Sequence, residues 1–166
     1  MGRVAARCRV KFSEFHAGQV IEAGPCSVSA EEIVRFAREF DPQWFHTDPE
    51  AAARGRFGGL IASGWQTCCM AMRLAADAML QDSNAVASPG LAYVKWPHPV
   101  RPGDQLRLRA EVLDTRTSRS RPDLGILRWR WQLFNQLDVE VLDLEATTLF
   151  DLTPTSRRRT NPGVAS

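Results

Sequence analysis

From about Ser63 to Gln81 the chain reads as a helix with almost no polar face. Trp65, Cys68, Cys69, Met70, Met72, Leu74, Ala75, Ala76, Met79 and Leu80 fall nearly all round a 3.6-residue repeat. A helix of that kind has to be enclosed by other structure, and the residues after it supply the enclosure. Beyond Gln81 the repeat changes to two. Leu91 to Trp96 reads as a strand ending at Pro97 and Pro99, and Arg101-Pro102-Gly103-Asp104 as a turn. Leu106, Leu108, Ala110 and Val112 alternate with Arg107, Arg109 and Glu111, which describes a half-buried strand. A loop over 118–125 leads to Leu127, Trp129, Trp131 and Leu133, alternating with Arg128, Arg130 and Gln132. A turn at 135–138 precedes a last strand over roughly 140–150. Three long strands so spaced predict an antiparallel meander. A curved antiparallel sheet wrapped around one long apolar helix satisfies both repeats, and the fold class is α+β.

Upstream the signals are shorter. Gln19 to Ser27 can hold a first strand, interrupted at Gly24-Pro25. Ser29-Ala30-Glu31-Glu32 is a capping box. The helix it opens carries Ile33, Val34, Phe36, Ala37 and Phe40 on one face and is stopped by Pro42. A residue before proline is pushed out of helical geometry, so Asp41 sits at the exit of that helix. Asp48-Pro49-Glu50 suits a second helix start, with Asp48 as N-cap and Pro49 at the first position. That helix is brief, Glu50 to Ala53, and Gly55 ends it. His46 then lies in the link between two helices, where rigid neighbours can aim it into a cavity. Gly58-Gly59 marks a turn. Ser63-Gly64-Trp65-Gln66 reads as another capping box, with Gln66 as partner to Ser63. On that register Gly64 is the first helical residue, and its amide is an unpaired donor at the positive end of the helix dipole.

An acid and an imidazole five residues apart, followed by a glycine turn and a buried helix start, can hold one water between them, although taken singly Asp41 reads as a cap or turn residue and His46 as a structural histidine. The sequence therefore nominates Asp41 and His46 as the acid–base pair and Gly64, with Ser63, as the place where an activated carbonyl oxygen is held. His16 and His98 have no acid at comparable spacing and read as structural, Asp104 as a turn residue, and Trp129 and Trp131 as packing. Arg119 and Arg121 read as a solvated loop before they read as phosphate partners.

Residues 1–17 lack pattern and are expected to drape over the surface as an extension. Residues 18–152 form one domain, and 153–166, with Arg157-Arg158-Arg159 and no apolar pattern, form a disordered tail. A chain of 166 residues can bury its own core. A formal charge of +2 argues against general nucleic-acid binding, and no apolar run approaches the ~20 residues of a membrane span. The start is basic but lacks the apolar core of a signal peptide. Cys8, Cys26, Cys68 and Cys69 match neither a disulfide framework nor paired zinc spacing. They read as small core residues in a reducing, cytoplasmic setting.

Over about residues 18–152 the chain resembles the MaoC-like dehydratase family, which includes the (R)-specific enoyl-CoA hydratases and has the hot-dog fold. The resemblance rests on Asp41, His46, Asp48 and Pro49, on Phe57 through Trp65, on Lys95-Trp96 through Asp104, and on Ser118-Arg119-Ser120-Arg121-Pro122. The chain departs from the family pattern at Gln43-Trp44, where Asn-Pro is usual, and at Ser63, where His is frequent. The resemblance implies reversible addition of water to a 2-enoyl-CoA, giving a 3-hydroxyacyl-CoA. Asp41 and His46 would act on one water, and a backbone amide would serve the oxyanion. It further implies an acyl-CoA thioester as substrate, no metal or other cofactor, and at least a homodimer, because one such sheet leaves an edge open. A thioesterase of the same fold and an inactive acyl-CoA-binding subunit are the alternative readings.

Overall fold

The structure, a computed structural model, describes residues 10–154. A 3-10 turn (Phe12–Glu14) leads into β1 (Val20–Ser27), then α1 (Ala30–Phe40), α2 (Trp44–Thr47), α3 (Pro49–Arg54) and α4 (Gly64–Ala75). A π-helical turn (Ala76–Leu80) extends α4, and β2 (Ala85–Lys95), β3 (Gln105–Thr117), β4 (Leu124–Phe134) and β5 (Glu140–Asp151) follow. The strands form one sheet in the order β1-β3-β4-β5-β2, every neighbouring pair antiparallel. β3, β4 and β5 are the expected meander. β1 borders β3 at one side, and β2 borders β5 at the other.

The period-2 pattern sets which face is covered. Leu106, Leu108, Ala110 and Val112 of β3, with Leu127, Trp129, Trp131 and Leu133 of β4, are buried and share a cluster with Ala71, Leu74 and Ala75 of α4. Side chains alternate between faces of a strand, so the intervening arginines are carried outward. There Arg130 donates from Nε and Nη2 to the two carboxylate oxygens of Asp143, at 2.7 and 3.0 Å, and the Tyr93 hydroxyl donates to the same group at 3.1 Å. Those bonds hold the Asp143 carboxyl below its usual range, with Arg130 the main cause. Three strands, β2, β4 and β5, are tied together by this one carboxylate.

Several expectations need correction. α4 is not enclosed on all sides: Trp65, Cys69 and Met72 are exposed on its outer face. Apolar residues on every side of a helix allow burial but do not specify which neighbours arrive. The helix changes to π geometry after Ala75, and β2 begins at Ala85, well before Leu91. The interruption expected at Gly24-Pro25 is present as a shift in the register of β1 against β3 between Ala23 and Cys26, and the strand continues through it to Ser27. Residues 10–17 do not simply drape over the surface, since Phe15 is buried and stacks edge-on against Trp129 at 5.8 Å. Of the cysteines, Cys26 and Cys68 are half-buried and Cys69 is exposed, so small-residue core packing holds for two at most; Cys8 lies outside the described residues. The tail expected to be disordered is described only as far as Pro154. No described helix is long and apolar enough to cross a membrane.

Candidate active site

Local chemistry builds the segment that carries the acid. The Ser29 hydroxyl accepts from the Glu32 amide and the Glu32 carboxylate accepts from the Ser29 amide, closing the expected capping box of α1. At its other end Asp41 is the C-cap, its amide donating to the Ala37 carbonyl at 2.8 Å. Pro42 then turns the chain, and the Gln43 amide donates back to the Asp41 carbonyl at 2.7 Å. His46 lies between α1 and α3, as the sequence reading had it, and the link there is itself wound into the one-turn helix α2, where the His46 amide donates to the Gln43 carbonyl at 2.9 Å. Asp48 then caps α3 as expected, accepting from the Glu50 and Ala51 amides.

Tertiary packing brings Asp41 and His46 together. His46 Nε2 lies 3.5 Å from Asp41 Oδ2, and the imidazole is buried. His46 Nδ1 is 2.7 Å from the Ile61 carbonyl oxygen. A carbonyl only accepts, so Nδ1 carries a hydrogen and Nε2 is the atom presented to the acid. In neutral imidazole Nε2 is itself an acceptor facing an acceptor. The separation also exceeds a good direct N–H···O bond of about 2.7–3.2 Å. The two groups are thus left open to a third species able to supply protons to both.

Asp41 is held by two other donors. The Ser63 hydroxyl donates to Oδ2 at 2.7 Å and the Gln43 side-chain amide to Oδ1 at 2.7 Å. These bonds, Ser63's first and Gln43's second, keep the Asp41 carboxyl below its ordinary range against the opposing effect of burial. Ser63 is fully buried and also accepts from the Trp65 amide at 3.2 Å, so it is the N-cap of α4 as expected. Its expected partner Gln66 does not close a capping box; the Gln66 amide reaches the Glu32 carbonyl at 3.3 Å instead and ties α4 to α1. Because its proton goes to Asp41, Ser63 orients the acid.

Gly64 is the first residue of α4, as expected, and borders the same cavity. The nearby reason for glycine is an aromatic ring: a Cβ there would sit 2.6 Å from Trp96 Cε2. The ring is pinned, since Trp96 Nε1 donates to the Gly64 carbonyl at 2.9 Å and Trp65 stacks edge-on at 5.7 Å. Gly64→Ala is therefore expected to force Trp96 off its seat and cost about 1–3 kcal/mol by overpacking. An unchanged urea midpoint would show that the indole moves freely.

Asp41, Gln43, His46 and Gly64 border one cavity of about 360 Å³, with Phe57, Trp65, Thr67, Trp96 and His98 among its other walls. A larger open groove of about 650 Å³ runs along α1 past Val34, Arg35 and Arg38, but contains neither member of the pair. His98, read from sequence as structural, does tie the chain to β5 through Nδ1 and the Glu140 carbonyl at 3.0 Å, yet it also lines the cavity. Gln43 and His98 are polar wall residues the sequence reading missed, and Thr67 is another. The departure at 43 marked the first, and no local signal marked the second. Arg121 pairs with Asp123 in the exposed loop, which agrees with the solvated reading. Among the described residues no group of three or more His, Cys, Asp or Glu could hold a metal ion.

Known proteins place these features in a family. Residues 12–126 match the family described as MaoC like domain. The Bacillus subtilis (strain 168) protein named Uncharacterized protein YdeM is 38% identical over 140 residues, covering 84% of this chain and 98% of its own. The crystal structure of the MaoC-like dehydratase from Rhodospirillum rubrum superposes with a TM-score of 0.79 at 37% identity, covering 86% of this chain and 97% of that one. The 3-hydroxyacyl-thioester dehydratase Z of Mycobacterium tuberculosis (strain ATCC 25618 / H37Rv) is 35% identical over 89 residues, 52% of this chain and 59% of that protein. The match thus spans little more than half of the dehydratase's own length. With its antiparallel sheet, its α4 and its matched segments, the chain belongs to the MaoC-like dehydratase family of hot-dog proteins.

Proposed function

We propose that this protein catalyses reversible hydration of a 2-enoyl thioester to a 3-hydroxyacyl thioester, with coenzyme A as the thioester's carrier. The observation that carries the reading is the Asp41–His46 pair at 3.5 Å on the wall of a cavity that also holds the start of α4. The relative named as a 3-hydroxyacyl-thioester dehydratase supports the reaction class. Hydration needs a proton removed from water as its oxygen bonds the β-carbon. The π electrons move toward the thioester oxygen, and a proton is delivered to the α-carbon. Asp41 and His46 act on that water as one unit, one taking and one returning a proton, and such groups contribute about 10²–10⁴-fold. The Gly64 amide lies outside the intrahelical ladder and serves the developing oxyanion, a role whose loss costs about 10²–10³-fold. The reaction requires no metal or redox cofactor.

The protein works as at least a homodimer in this reading. β2 is the last strand of the sheet, and Val86 and Leu91 on it are exposed, as are Trp65 and Met72 on α4. An apolar edge of this kind favours a second copy.

The test is an enoyl-CoA panel followed by three readouts. Hydration removes the conjugated-enoyl absorbance, adds the mass of one water and releases no free thiol. Thiol release would identify a thioesterase. Tight binding with no turnover, unaffected by Asp41→Asn, would identify a binding subunit.

A further inference from the structure

We infer that Gln43 is a positioning residue that brackets the acid–base pair, holding the Asp41 carboxylate turned so that Oδ2 meets His46. The inference rests on the hydratase reading for its kinetic consequence, but the bracket itself is geometry. Gln43 is bonded to both partners. Its backbone amide donates to the Asp41 carbonyl at 2.7 Å and its side-chain amide to Asp41 Oδ1 at 2.7 Å. Its carbonyl accepts from the His46 amide at 2.9 Å and from the Thr47 hydroxyl at 3.1 Å. Gln43 occupies the N-cap position of α2, where a short polar side chain commonly caps the helix, yet its side chain makes no cap bond. It reaches back to the acid instead.

That choice fixes the carboxylate in two ways. An ionised carboxylate accepts only, so the atom facing Oδ1 is the amide nitrogen, and the flip of Gln43 is determined. With Oδ1 engaged by Gln43, the carboxyl plane is set, and Oδ2 is the oxygen shared between the Ser63 hydroxyl and the His46 side. A donor to the charged form also favours that form. The groups facing Asp41 are His46 from α2, Ser63 from the N-cap of α4 and Gln43 itself. His98, from the segment before β3, borders the same cavity. His46 and His98 are the ionisable side chains among these.

The experiment compares wild type with Gln43→Met, which keeps length and removes the donor, and Gln43→Asn, which keeps the donor on a shorter arm. Steady-state hydration of an enoyl-CoA is followed across the acidic range. Gln43→Met is expected to lower kcat about tenfold, the scale of one hydrogen bond to a charged group. KM should stay within about twofold, and the acidic limb of kcat/KM should move to higher pH. Gln43→Asn should recover part of the loss. The thermal midpoint should hold in both, because the side chain is exposed. A raised KM at unchanged kcat would overturn the proposal by making Gln43 a substrate contact, and an unmoved kcat and acidic limb would make it a bystander. A second readout does not depend on turnover: the side-chain carbon shift of Asp41, titrated by NMR, should show a higher pKa in Gln43→Met than in wild type. If the protein hydrates nothing and that titration still moves, the bracket stands and the hydratase reading falls. If the titration does not move, the bracket itself is overturned.

Discussion

His46→Gln is expected to lower kcat for enoyl-thioester hydration by about 10²–10⁴-fold, and Asp41→Asn by a similar factor, with the circular dichroism of each variant unchanged. Both predictions follow from the same few ångströms. His46 Nδ1 is bonded to the Ile61 carbonyl, so all its proton traffic must pass through Nε2, which faces Asp41 Oδ2 at 3.5 Å. Glutamine can keep a donor toward the carbonyl but has no second nitrogen to exchange a proton. Asparagine at 41 can still accept from Ser63 but no longer carries charge. The two losses should not add. Residues that act on one water as a unit show about the single-variant loss when both are changed. A double variant as slow as either single variant would agree with a shared water; multiplied losses would show independent roles. Full activity in both single variants would remove the pair from the site.

Trp129→Ala is expected to be the most damaging core change, costing about 3–5 kcal/mol. Folded domains have only about 5–15 kcal/mol in hand, so the variant should lose much of its urea resistance. Trp129 is completely buried at the centre of β4, packed against Phe15 at 5.8 Å and Trp131 at 5.1 Å. Its indole nitrogen is buried without a hydrogen-bond partner among the described residues. An unsatisfied buried donor costs about 1–3 kcal/mol, so part of the ring's packing gain is already offset. Trp129→Phe should therefore recover most of the loss, because it keeps an aromatic ring and removes the orphan donor. Equal urea midpoints for Trp129→Ala and wild type would contradict the packing account. A Phe variant as unstable as Ala would contradict the offset.

The legibility of this chain divides by range. Ser29 with Glu32, and Asp48 with Pro49, could be read correctly because a cap is satisfied within one turn by residues a few positions apart. The same reasoning failed at Ser63 with Gln66. The Gln66 amide had a distant competitor, the Glu32 carbonyl of a neighbouring helix, that no local pattern reveals. The alternation in β3 and β4 was legible because period two is imposed by the strand itself and one face had to be apolar. How much of α4 the sheet would cover was not, because covering depends on which elements arrive. Trp65 and Met72 are apolar and exposed all the same.

By itself the sequence determined the α+β class, the meander, the caps of α1 and α3, and the nomination of Asp41, His46, Ser63 and Gly64. These follow from periodicity, capping chemistry and a family resemblance, all of which are written in short stretches of chain. Only the tertiary structure decided that the Ser63 hydroxyl grips Asp41, that Ile61 sets the imidazole's tautomer, that Trp96 is what glycine at 64 accommodates, and that His98 shares the cavity. Each of those contacts joins residues far apart in order. Their geometry is fixed by how α1, α2, the start of α4 and the segment before β3 pack against one another, and spacing along a chain carries no information about that.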